Sequence, residues 1–404
     1  MTARITSISV SGVRTLDDFK LDLDGLTVLI GENGSGKSTI VEACELLRRL
    51  TNETFWNEFN QIHGGEAMLL RHGSGEIKIG AEFSGKDWFA SYHVSFSRSG
   101  ISSENLSVFP SGQSGQLNVL ERIGEHVKIP ITGKGISVPP RLGLPQTQPA
   151  IKIAADRYRE NYTSEVYHAL QSIDVHLPFT STSYWLSQSQ GGRQAPMRDS
   201  VTIAPTNQLE RCGNNLANAF YALKEQTRSD WEYTMELVRL GLGQWVESVN
   251  LRPDAGGGKI AIWIKIANTD KQIPSGSLSD GQLAYLAFVA LARLPTPRSL
   301  LVFDEIEAHL HPRLLIRVMG LIRSIAERCP VLLTTHSRRV LDDLDEPAKS
   351  VGVLELDPDS LVTKLRRLDE AKLKDWLDDY DGLGQVLDAG YPESLFETEA
   401  GEGR

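Results

Sequence analysis

The sequence predicts an α/β fold in which a mixed sheet is flanked by an antiparallel sheet and interrupted by a mainly helical insertion. From Gln282 onward, helical periodicity alternates with short apolar runs, the order expected of an α/β core. Residues 26–30 (LTVLI) form a continuous apolar run typical of a strand buried on both faces, and amphipathic helical spacing follows Gly36. Two alternating stretches within 76–98 predict an antiparallel hairpin.

The other elements follow from local patterns along the chain. Residues 130–149 hold five prolines and three glycines, and 187–205 is rich in Ser, Gln and Gly, so both are expected to be loops. The remaining regular patterns predict strands at 5–10, 19–23 and 260–266 and helices at 163–170, 214–246 and 283–294.

A chain of 404 residues is long enough for two or three domains. We expect an N-terminal lobe at 1–125, a loop-rich and helical insertion at 126–255, a C-terminal lobe at 256–365 and a C-terminal extension at 366–404. Hydrophobic residues make up 40% and charged residues 23% of the chain, which excludes a chain that is disordered or coiled coil throughout.

Charge and cysteine content restrict the partners. With 42 basic and 52 acidic residues the net charge is −10, so the chain is not a general polyanion binder. Nucleic acid would need a local basic patch or a second subunit. Cys44, Cys212 and Cys329 lie too far apart for a metal or redox motif and are expected to be thiols in a reducing compartment. No window approaches the length of a membrane span and no signal-peptide layout is present, so we expect a cytoplasmic protein without a membrane partner.

The first chemical motif is 31–38, GENGSGKS, which matches GxxxxGK[ST] between a buried strand and a helix. Glycines let backbone N–H groups turn toward phosphate oxygens, and the helix N-terminus adds partial positive charge there. Lys37 supplies a full charge to the β- and γ-phosphates, and the Ser38 hydroxyl is a Mg²⁺ ligand. The candidate nucleotide-binding residues here are Gly31, Asn33, Gly34, Ser35, Gly36, Lys37, Ser38 and Thr39.

A second candidate phosphate site is 278–282, LSDGQ, at the start of an apolar helix. Ser279, Gly281 and Gln282 stand where a helix N-terminus, a hydroxyl and a free backbone can bind an anion. By itself the pentapeptide is equally compatible with an ordinary capped helix.

Two further strands end in groups that could act on a phosphate. Residues 300–303 deliver Asp304 and Glu305 at the carboxyl end of a strand, where open α/β sheets bind ligands. Asp304 is placed to hold Mg²⁺ or its water, and Glu305 to orient or deprotonate the attacking water. The strand at 331–335 ends in His336, which could contact a γ-phosphate, although a lone His is more often structural.

Together the four motifs resemble the ATP-binding cassette (ABC) superfamily, as its Walker A, signature, Walker B and switch histidine. The resemblance covers about 1–90 and 255–360, and the separations of 25 residues from Ser279 to Asp304 and 32 from Asp304 to His336 suit it. It implies an ABC-type ATPase head using ATP and Mg²⁺, with two heads closing on two ATP molecules in a homodimer or larger homo-oligomer. Ser279 and Gly281 would then serve the partner's nucleotide.

Residues 306–312, IEAHLHP, indicate which subgroup of the ABC superfamily the chain resembles. They are similar to the DEPEAHLHP text of the overcoming-lysogenisation-defect (OLD), RecF and related ATPases, with Ile306 in the place of the family's proline. Transporter cassettes usually read DEPTSALD there. His309 and His311 could be mistaken for a metal pair, but the resemblance makes them structural or dimer-contact residues.

Two features of related ATPases are missing. Residues 73–275 show no sustained heptads, unlike the long coiled coil of SMC-type ATPases. About 65 residues follow His336, too few for the TOPRIM nuclease of full-length OLD enzymes. We therefore expect any effector, such as a nuclease, to be a separate chain.

Several residues stay open on sequence alone. Arg14 either faces the nucleotide or is structural. The family's Q-loop glutamine has the candidates Gln61, Gln113 and Gln116. Basic clusters that could contact DNA, or could equally be solvated faces, are Lys152, Arg157 and Arg159, and Arg338 with Arg339.

The favoured hypothesis is an ATPase that is the regulatory or sensor subunit of a nucleic-acid-directed system, most simply anti-phage defence, with a separate effector and DNA as a candidate partner. The alternatives are a RecF-like DNA repair ATPase and the nucleotide-binding subunit of an ABC transporter. ATP hydrolysis that DNA stimulates without another protein would favour the RecF-like repair ATPase. An associated permease would favour the transporter subunit.

Overall fold

The computed structural model describes residues 3–111, 115–129, 142–157, 162–179, 197–254, 256–377, 382–388 and 395–396. Within these ranges the strands are β1 (Arg4–Ser11), β2 (Phe19–Asp22), β3 (Leu26–Gly31), β4 (Ile77–Ser84), β5 (Trp88–Ser97), β6 (Gly100–Pro110), β7 (Leu117–Ile123), β8 (His126–Lys128), β9 (Leu142–Gly143), β10 (Ile173–His176), β11 (Val201–Thr202), β12 (Val246–Pro253), β13 (Lys259–Ile266), β14 (Gln272–Pro274), β15 (Leu300–Phe303), β16 (Val331–Thr334), β17 (Val351–Leu356) and β18 (Thr363–Arg367). The helices are α1 (Lys37–Arg49), α2 (Phe55–Ile62), α3 (Gly65–Leu69), α4 (Ile151–Arg157), α5 (Tyr162–Gln171), α6 (Leu216–Lys224), α7 (Arg228–Leu242), α8 (Asp280–Arg293), α9 (Pro312–Ala326), α10 (Arg338–Asp342), α11 (Pro347–Ser350), α12 (Glu370–Leu377) and α13 (Leu383–Asp388).

A six-stranded sheet carries the predicted motifs, with the strand order β10-β15-β16-β3-β17-β18 in the described part of the chain. The pairs from β10 to β17 are parallel, and β18 closes the edge antiparallel to β17. Because β3, β15 and β16 are parallel neighbours, the loops after them emerge at one edge of the sheet. This topology brings the ends of three widely separated sequence motifs together.

Alternate side chains of the parallel strands enter two separate cores. In β3, Val28 and Ile30 enter one core and Leu29 the other, and in β15 Phe303 and Val302 divide in the same way. A strand covered on both faces needs apolar residues at every position, which explains the continuous apolar runs of the sequence. One face is covered by α1 and an antiparallel sheet, and the other by α6, α7, α8 and α9.

The antiparallel sheet has eight strands within the described residues, in the order β2-β1-β4-β5-β6-β7-β8-β9. The predicted hairpin at 76–98 is confirmed as β4 and β5, but the sheet continues well beyond it. The sequence analysis missed β6 because Glu104 is buried on its inward face and Phe109 is exposed on its outward face, so polar and apolar residues do not alternate cleanly. Of the predicted loops, 130–141 and 187–196 lie outside the described residues.

The second face is mainly helical. The helix predicted at 214–246 is two helices, α6 and α7, because the side chain of Thr227 accepts a hydrogen bond from Asp230 N–H and caps a new helix start. Residues 246–253, whose first residue was taken as helical, form β12. Helix α8 is buried at every position from 283 to 291, as its uniformly apolar sequence requires.

The described residues also form a small antiparallel sheet of β11, β12, β13 and β14. The segment 126–255, expected to be an insertion, supplies strands to this sheet and to the two larger ones. The clearest is β10, which lies beside β15 in the central sheet. The predicted α/β class, with a mixed sheet and a flanking antiparallel sheet, is confirmed. Among the helices of the described ranges, none is long and apolar enough to cross a bilayer.

Candidate nucleotide site

The loop between β3 and α1 is shaped by two glycines with positive φ. Gly34 has φ 85°, and a side chain there would meet nothing within 4 Å, so its backbone faces open space. Gly36 has φ 101° and caps α1, and a Cβ there would lie 2.8 Å from Thr363 Oγ1. Residues other than glycine are strained in this left-handed region, and position 36 also has no room for a side chain. The loop can therefore turn its N–H groups toward an anion at the start of α1.

Lys37 closes back over this loop. Its Nζ donates hydrogen bonds to Gly31 O over 2.7 Å and to Glu32 O over 2.9 Å. Burial lowers the pKa of Lys37, and the nearby carboxylates of Asp304 and Glu305 offset part of that effect. Its ammonium group thus rests on carbonyl oxygens that a phosphate could replace.

A cavity of about 230 Å³ lies in front of the loop. Its lining residues come from two distant parts of the sequence and are Arg14, Thr15, Asn33, Gly34, Gly36, Lys37, Ser38, Thr39, Asp304, Glu305 and His336. The structure therefore brings most of the sequence-predicted loop residues to one cavity with the two acids and the histidine. Gly31 and Ser35 lie behind the loop instead, where Ser35 Oγ is buried with no partner among the described residues.

A shared hydroxyl fixes the two acids at the end of β15. Thr334 Oγ1 donates to Asp304 Oδ1 over 2.6 Å and accepts from Glu305 N–H over 2.8 Å. Ser38 Oγ donates to the same Asp304 oxygen over 3.3 Å. Glu305 has φ 48°, a left-handed conformation that is uncommon for a residue with a side chain, and it is exposed to the cavity.

This arrangement fits a magnesium ion. A hydroxyl and a carboxylate within hydrogen-bond distance of each other are the pair that Mg²⁺ takes from protein, with waters and phosphate oxygens completing six ligands. Ser38 and Asp304 are the residues that would hold it. His309 and His311 follow in the same segment, and His311 caps α9. In the described part of the chain no group of three His, Cys, Asp or Glu residues is arranged to hold a metal.

The segment after β16 that contains Thr335 and His336, here called the switch segment, is hydrogen-bonded to a residue that the sequence analysis did not select. Glu307 accepts hydrogen bonds from Thr335 Oγ1 over 2.7 Å and from His336 N–H over 2.6 Å. Its sequence signal was its place in the 306–312 segment, two residues after Glu305. The contacts depend on the pairing of β15 with β16, which the pattern of residues does not reveal.

The segment at 278–282 is a capped helix start. Ser279 Oγ accepts from Gln282 N–H over 3.2 Å, and Ser279 N–H donates to Gln282 Oε1 over 2.9 Å, a complete capping box. Ser279, Gly281 and Gln282 do not line the cavity of their own chain. A Cβ on Gly281 would lie 2.9 Å from His309 O, so this helix start packs closely against the segment that follows Glu305.

Arg198 holds this helix start from outside it. The guanidinium donates to Leu278 O over 2.6 Å and Gly276 O over 3.1 Å, and it contacts Asp280 Oδ1 at 2.5 Å. Arg198 is 8% exposed, so these are buried charge-assisted bonds. No local pattern pointed to Arg198, because it lies in the stretch 187–205, which was expected to be a loop.

The structure shows where Arg14 and the candidate glutamines, whose roles the sequence left undecided, lie. Arg14 lines the cavity and forms an ion pair with Glu42 at 2.8 Å, so it both faces the cavity and is anchored. Of the glutamine candidates, Gln61 is exposed on α2, Gln116 donates to Asn118 Oδ1 on the antiparallel sheet, and Gln113 lies outside the described residues. Neither Gln61 nor Gln116 lines the cavity.

The candidate basic clusters give little support for a basic surface. Lys152 forms an ion pair with Glu53 at 2.7 Å, which reduces its availability to phosphate. Arg159 lies outside the described residues, and nothing is described of the side chain of Arg157. Arg338 and Arg339 lie on α10, directly after the switch segment.

Family models match both motif-bearing parts of the chain. A model described as "AAA ATPase domain" matches residues 4–171, and one described as "AAA domain, putative AbiEii toxin, Type IV TA system" matches 220–342. The first range contains the glycine-rich loop, and the second contains Ser279, Asp304, Glu305 and His336. These matches support a P-loop ATPase of the ABC and AAA class.

Solved structures show which fold this ATPase has. A crystal structure of an Smc head bound to the C-winged helix domain of ScpA aligns with a TM-score of 0.51 and 14% identity, covering 92% of this chain and 99% of that chain. An Smc head with an extended coiled coil, bound to the C-terminal domain of ScpA derived from Pyrococcus furiosus, aligns with a TM-score of 0.50 and 15% identity, covering 93% and 99%. The ATPase therefore has the fold of an SMC head, an ABC-type fold.

Proposed function

We propose that this ATPase hydrolyses ATP with Mg²⁺ and is the regulatory or sensor subunit of a nucleic-acid-directed defence system with a separate effector. The observation that carries the hydrolysis proposal is the meeting of Lys37, Ser38, Asp304, Glu305 and His336 on one cavity of about 230 Å³. A phosphate-binding loop, a metal carboxylate, an exposed acid and a histidine are the groups that phosphoryl transfer to water requires.

Each residue has a distinct part in this proposal. The loop N–H groups and Lys37 bind and neutralise the β- and γ-phosphates. Mg²⁺, when bound, would be held by Ser38 and Asp304 and would supply further positive charge to stabilise the phosphates. Glu305, whose carboxylate is exposed to the cavity, orients the attacking water and accepts its proton. His336, which lines the same cavity, donates to the oxygens of the γ-phosphate.

We further propose that two copies close on the nucleotide. Ser279 and Gly281 form a capped helix start that does not line the cavity of its own chain. A second anion-binding helix start away from the first is useful if it completes the cavity of another copy. The four-motif resemblance described above leads to the same arrangement.

The proposed cellular role rests on the comparisons and on the residues that follow Glu305. The description of the family model at 220–342 names a toxin system, which favours a conflict or defence role over transport. The two Smc heads are each bound to a domain of another polypeptide, ScpA, so this head fold can present a surface to a separate chain. We place the chain in the OLD and RecF-like group on the text of 306–312. DNA is the candidate ligand that such a role requires.

The test is phosphate release from the full chain with ATP, with and without Mg²⁺. We expect Mg²⁺-dependent hydrolysis that Lys37→Ala abolishes and that Lys271→Ala, an exposed lysine in a turn, leaves unchanged. A wild-type chain that neither binds nor hydrolyses ATP with Mg²⁺ would overturn the proposal. Hydrolysis stimulated by double-stranded DNA without another protein would move the role to a self-contained repair ATPase.

A further inference from the structure

We infer that Glu307 is a positioning residue that sets His336 in the nucleotide cavity. The inference rests on the proposed ATP hydrolysis and assigns to that site a residue outside the four motifs. Glu307 does not line the cavity itself. Its carboxylate acts through the segment that carries the histidine.

The carboxylate of Glu307 is fully engaged by that segment. Oε2 accepts from the hydroxyl of Thr335 over 2.7 Å, and Oε1 accepts from His336 N–H over 2.6 Å. Thr335 is completely buried, so one end of this bridge is fixed in the protein interior. Hydrogen bonds to an ionised acceptor are shorter and about twice as strong as neutral ones.

His336 needs this hydrogen bond to Glu307 because it lies beyond the end of β16 and is not paired in the sheet. The last residue of β16 is Thr334, and β16 pairs with β3 only as far as Thr334 with Leu29. Beyond that point Thr335 N–H still donates to Leu29 O, whereas His336 N–H donates to Glu307. The imidazole is exposed in the cavity, so the backbone bond to Glu307 sets the place from which it can reach a ligand.

The same geometry separates Glu307 from Glu305. Both oxygens of Glu307 accept strong hydrogen bonds from protein donors, which leaves it poorly placed to take a proton from water. The Glu305 side chain is exposed to the cavity, and its backbone N–H is held by Thr334. Two acids two residues apart therefore have different tasks: Glu305 faces the ligand and Glu307 holds the histidine.

Glu307→Gln tests the inference. Glutamine keeps the size of the side chain but presents an NH₂ group to one of the two donors. We expect the turnover number for Mg²⁺-ATP to fall about 10- to 100-fold, as displaced catalytic groups do, while the Kd for ATP changes by less than about two-fold. A fall in turnover that comes entirely from weaker ATP binding would overturn the inference.

The decisive measurement is a double-mutant cycle with His336→Ala. If Glu307 acts through His336, then Glu307→Gln should cause almost no further loss of turnover in the His336→Ala background. Losses that multiply in the double variant would show that Glu307 acts independently, and would overturn the inference. If wild type itself shows no Mg²⁺-dependent hydrolysis, the proposed function fails, and this outcome is distinct from additivity in an active enzyme.

A second pair of variants covers the case in which Glu307→Gln does not fold. Thr335→Val removes one of the two donors to Glu307 at nearly constant volume, and Thr335→Ser keeps the hydroxyl. We expect reduced turnover with retained ATP binding for the valine variant and recovery for the serine variant. Equal turnover in the two variants would contradict the role of the Glu307 bridge.

Discussion

The hydroxyl of Thr334 lies 2.6 Å from Asp304 Oδ1 and donates a hydrogen bond to it, while accepting one from Glu305 N–H. Thr334 is completely buried, so one side chain fixes both acids from the neighbouring strand. The relative position of these two strand ends determines where Asp304, the proposed metal ligand, and the exposed Glu305 lie.

Thr334→Val should therefore damage the site at nearly constant volume. It removes a donor to Asp304 and an acceptor for Glu305 N–H, and leaving such groups unpaired costs about 1–3 kcal/mol of unfolding free energy. We expect lower Mg²⁺-dependent turnover and a lower free energy of unfolding in urea. Thr334→Ser, which keeps the hydroxyl, should recover most of the turnover, and failure to do so would point to the lost methyl group instead.

Glu305→Gln should separate binding from hydrolysis. Loss of a general base lowers turnover by roughly 10²- to 10⁴-fold, whereas the loop and Lys37 still bind ATP. Phosphate release and size-exclusion chromatography with ATP would measure both effects, and we expect the variant to accumulate as an ATP-bound dimer. Glu236→Gln, on the exposed face of α7, is the matched control. Turnover near wild type would refute the role assigned to Glu305.

Two glycines in helices should respond to alanine in opposite directions. At Gly281 a Cβ would lie 2.9 Å from His309 O, so Gly281→Ala must displace backbone, and such overpacking costs about 1–3 kcal/mol. At Gly320, in α9, a Cβ would meet nothing within 4 Å, so Gly320→Ala should add about 0.5–1 kcal/mol through helix propensity. Urea unfolding measures both changes, and loss of stability at both positions would show that the Gly281 contact is not decisive.

A buried ion pair beside β15 predicts an acid-dependent effect. Burial alone would raise the pKa of Asp174, but the charge and hydrogen bond of His176, together with those of Arg298 at 2.6 Å, hold that pKa well below its usual value. Asp174→Asn leaves Arg298 buried without its partner charge, and we expect a loss of about 3 kcal/mol in unfolding free energy at pH 7.

The sign of the pH dependence follows from the lowered pKa. The ionised carboxylate stabilises the fold fully above the unfolded-state pKa of about 3.9, and this contribution is lost as the pH falls toward the folded-state value. The difference in unfolding free energy between wild type and Asp174→Asn should narrow as the pH falls below about 4. Asp270→Asn, in an exposed turn, is the control, and a gap that does not narrow would contradict the assignment.

Much of the fold and of the candidate site was predictable because local patterns carry it. The apolar run before Gly31, the glycine-rich loop and the acids after Phe303 are each readable within a few residues. Parallel strands then require their carboxyl ends to share an edge, which is why Lys37, Asp304 and His336 meet on one cavity.

The residues that support the site were not predictable, because their roles depend on contacts between distant segments. Thr334, Glu307 and Arg198 act through contacts with segments from 28 to 82 residues away, which no local spacing encodes. The extent of the antiparallel sheet was hidden because strand β6 has Glu104 on its buried face and Phe109 on its exposed face, whereas strand prediction depends on contrast between the two faces.

Thr363, on the last strand of the central sheet, has a consequence for where the working unit ends. Its hydroxyl donates to Ser35 O over 2.9 Å and lies 2.8 Å from Thr15 Oγ1, so it supports the glycine-rich loop from behind. Expression of a fragment that stops shortly after His336 would retain every recognisable motif and lose this support together with β17, the sheet neighbour of β3. The segment that contains the sequence motifs is therefore shorter than the segment that the hydrogen bonds of the glycine-rich loop require. A minimal active fragment should extend at least through Arg367.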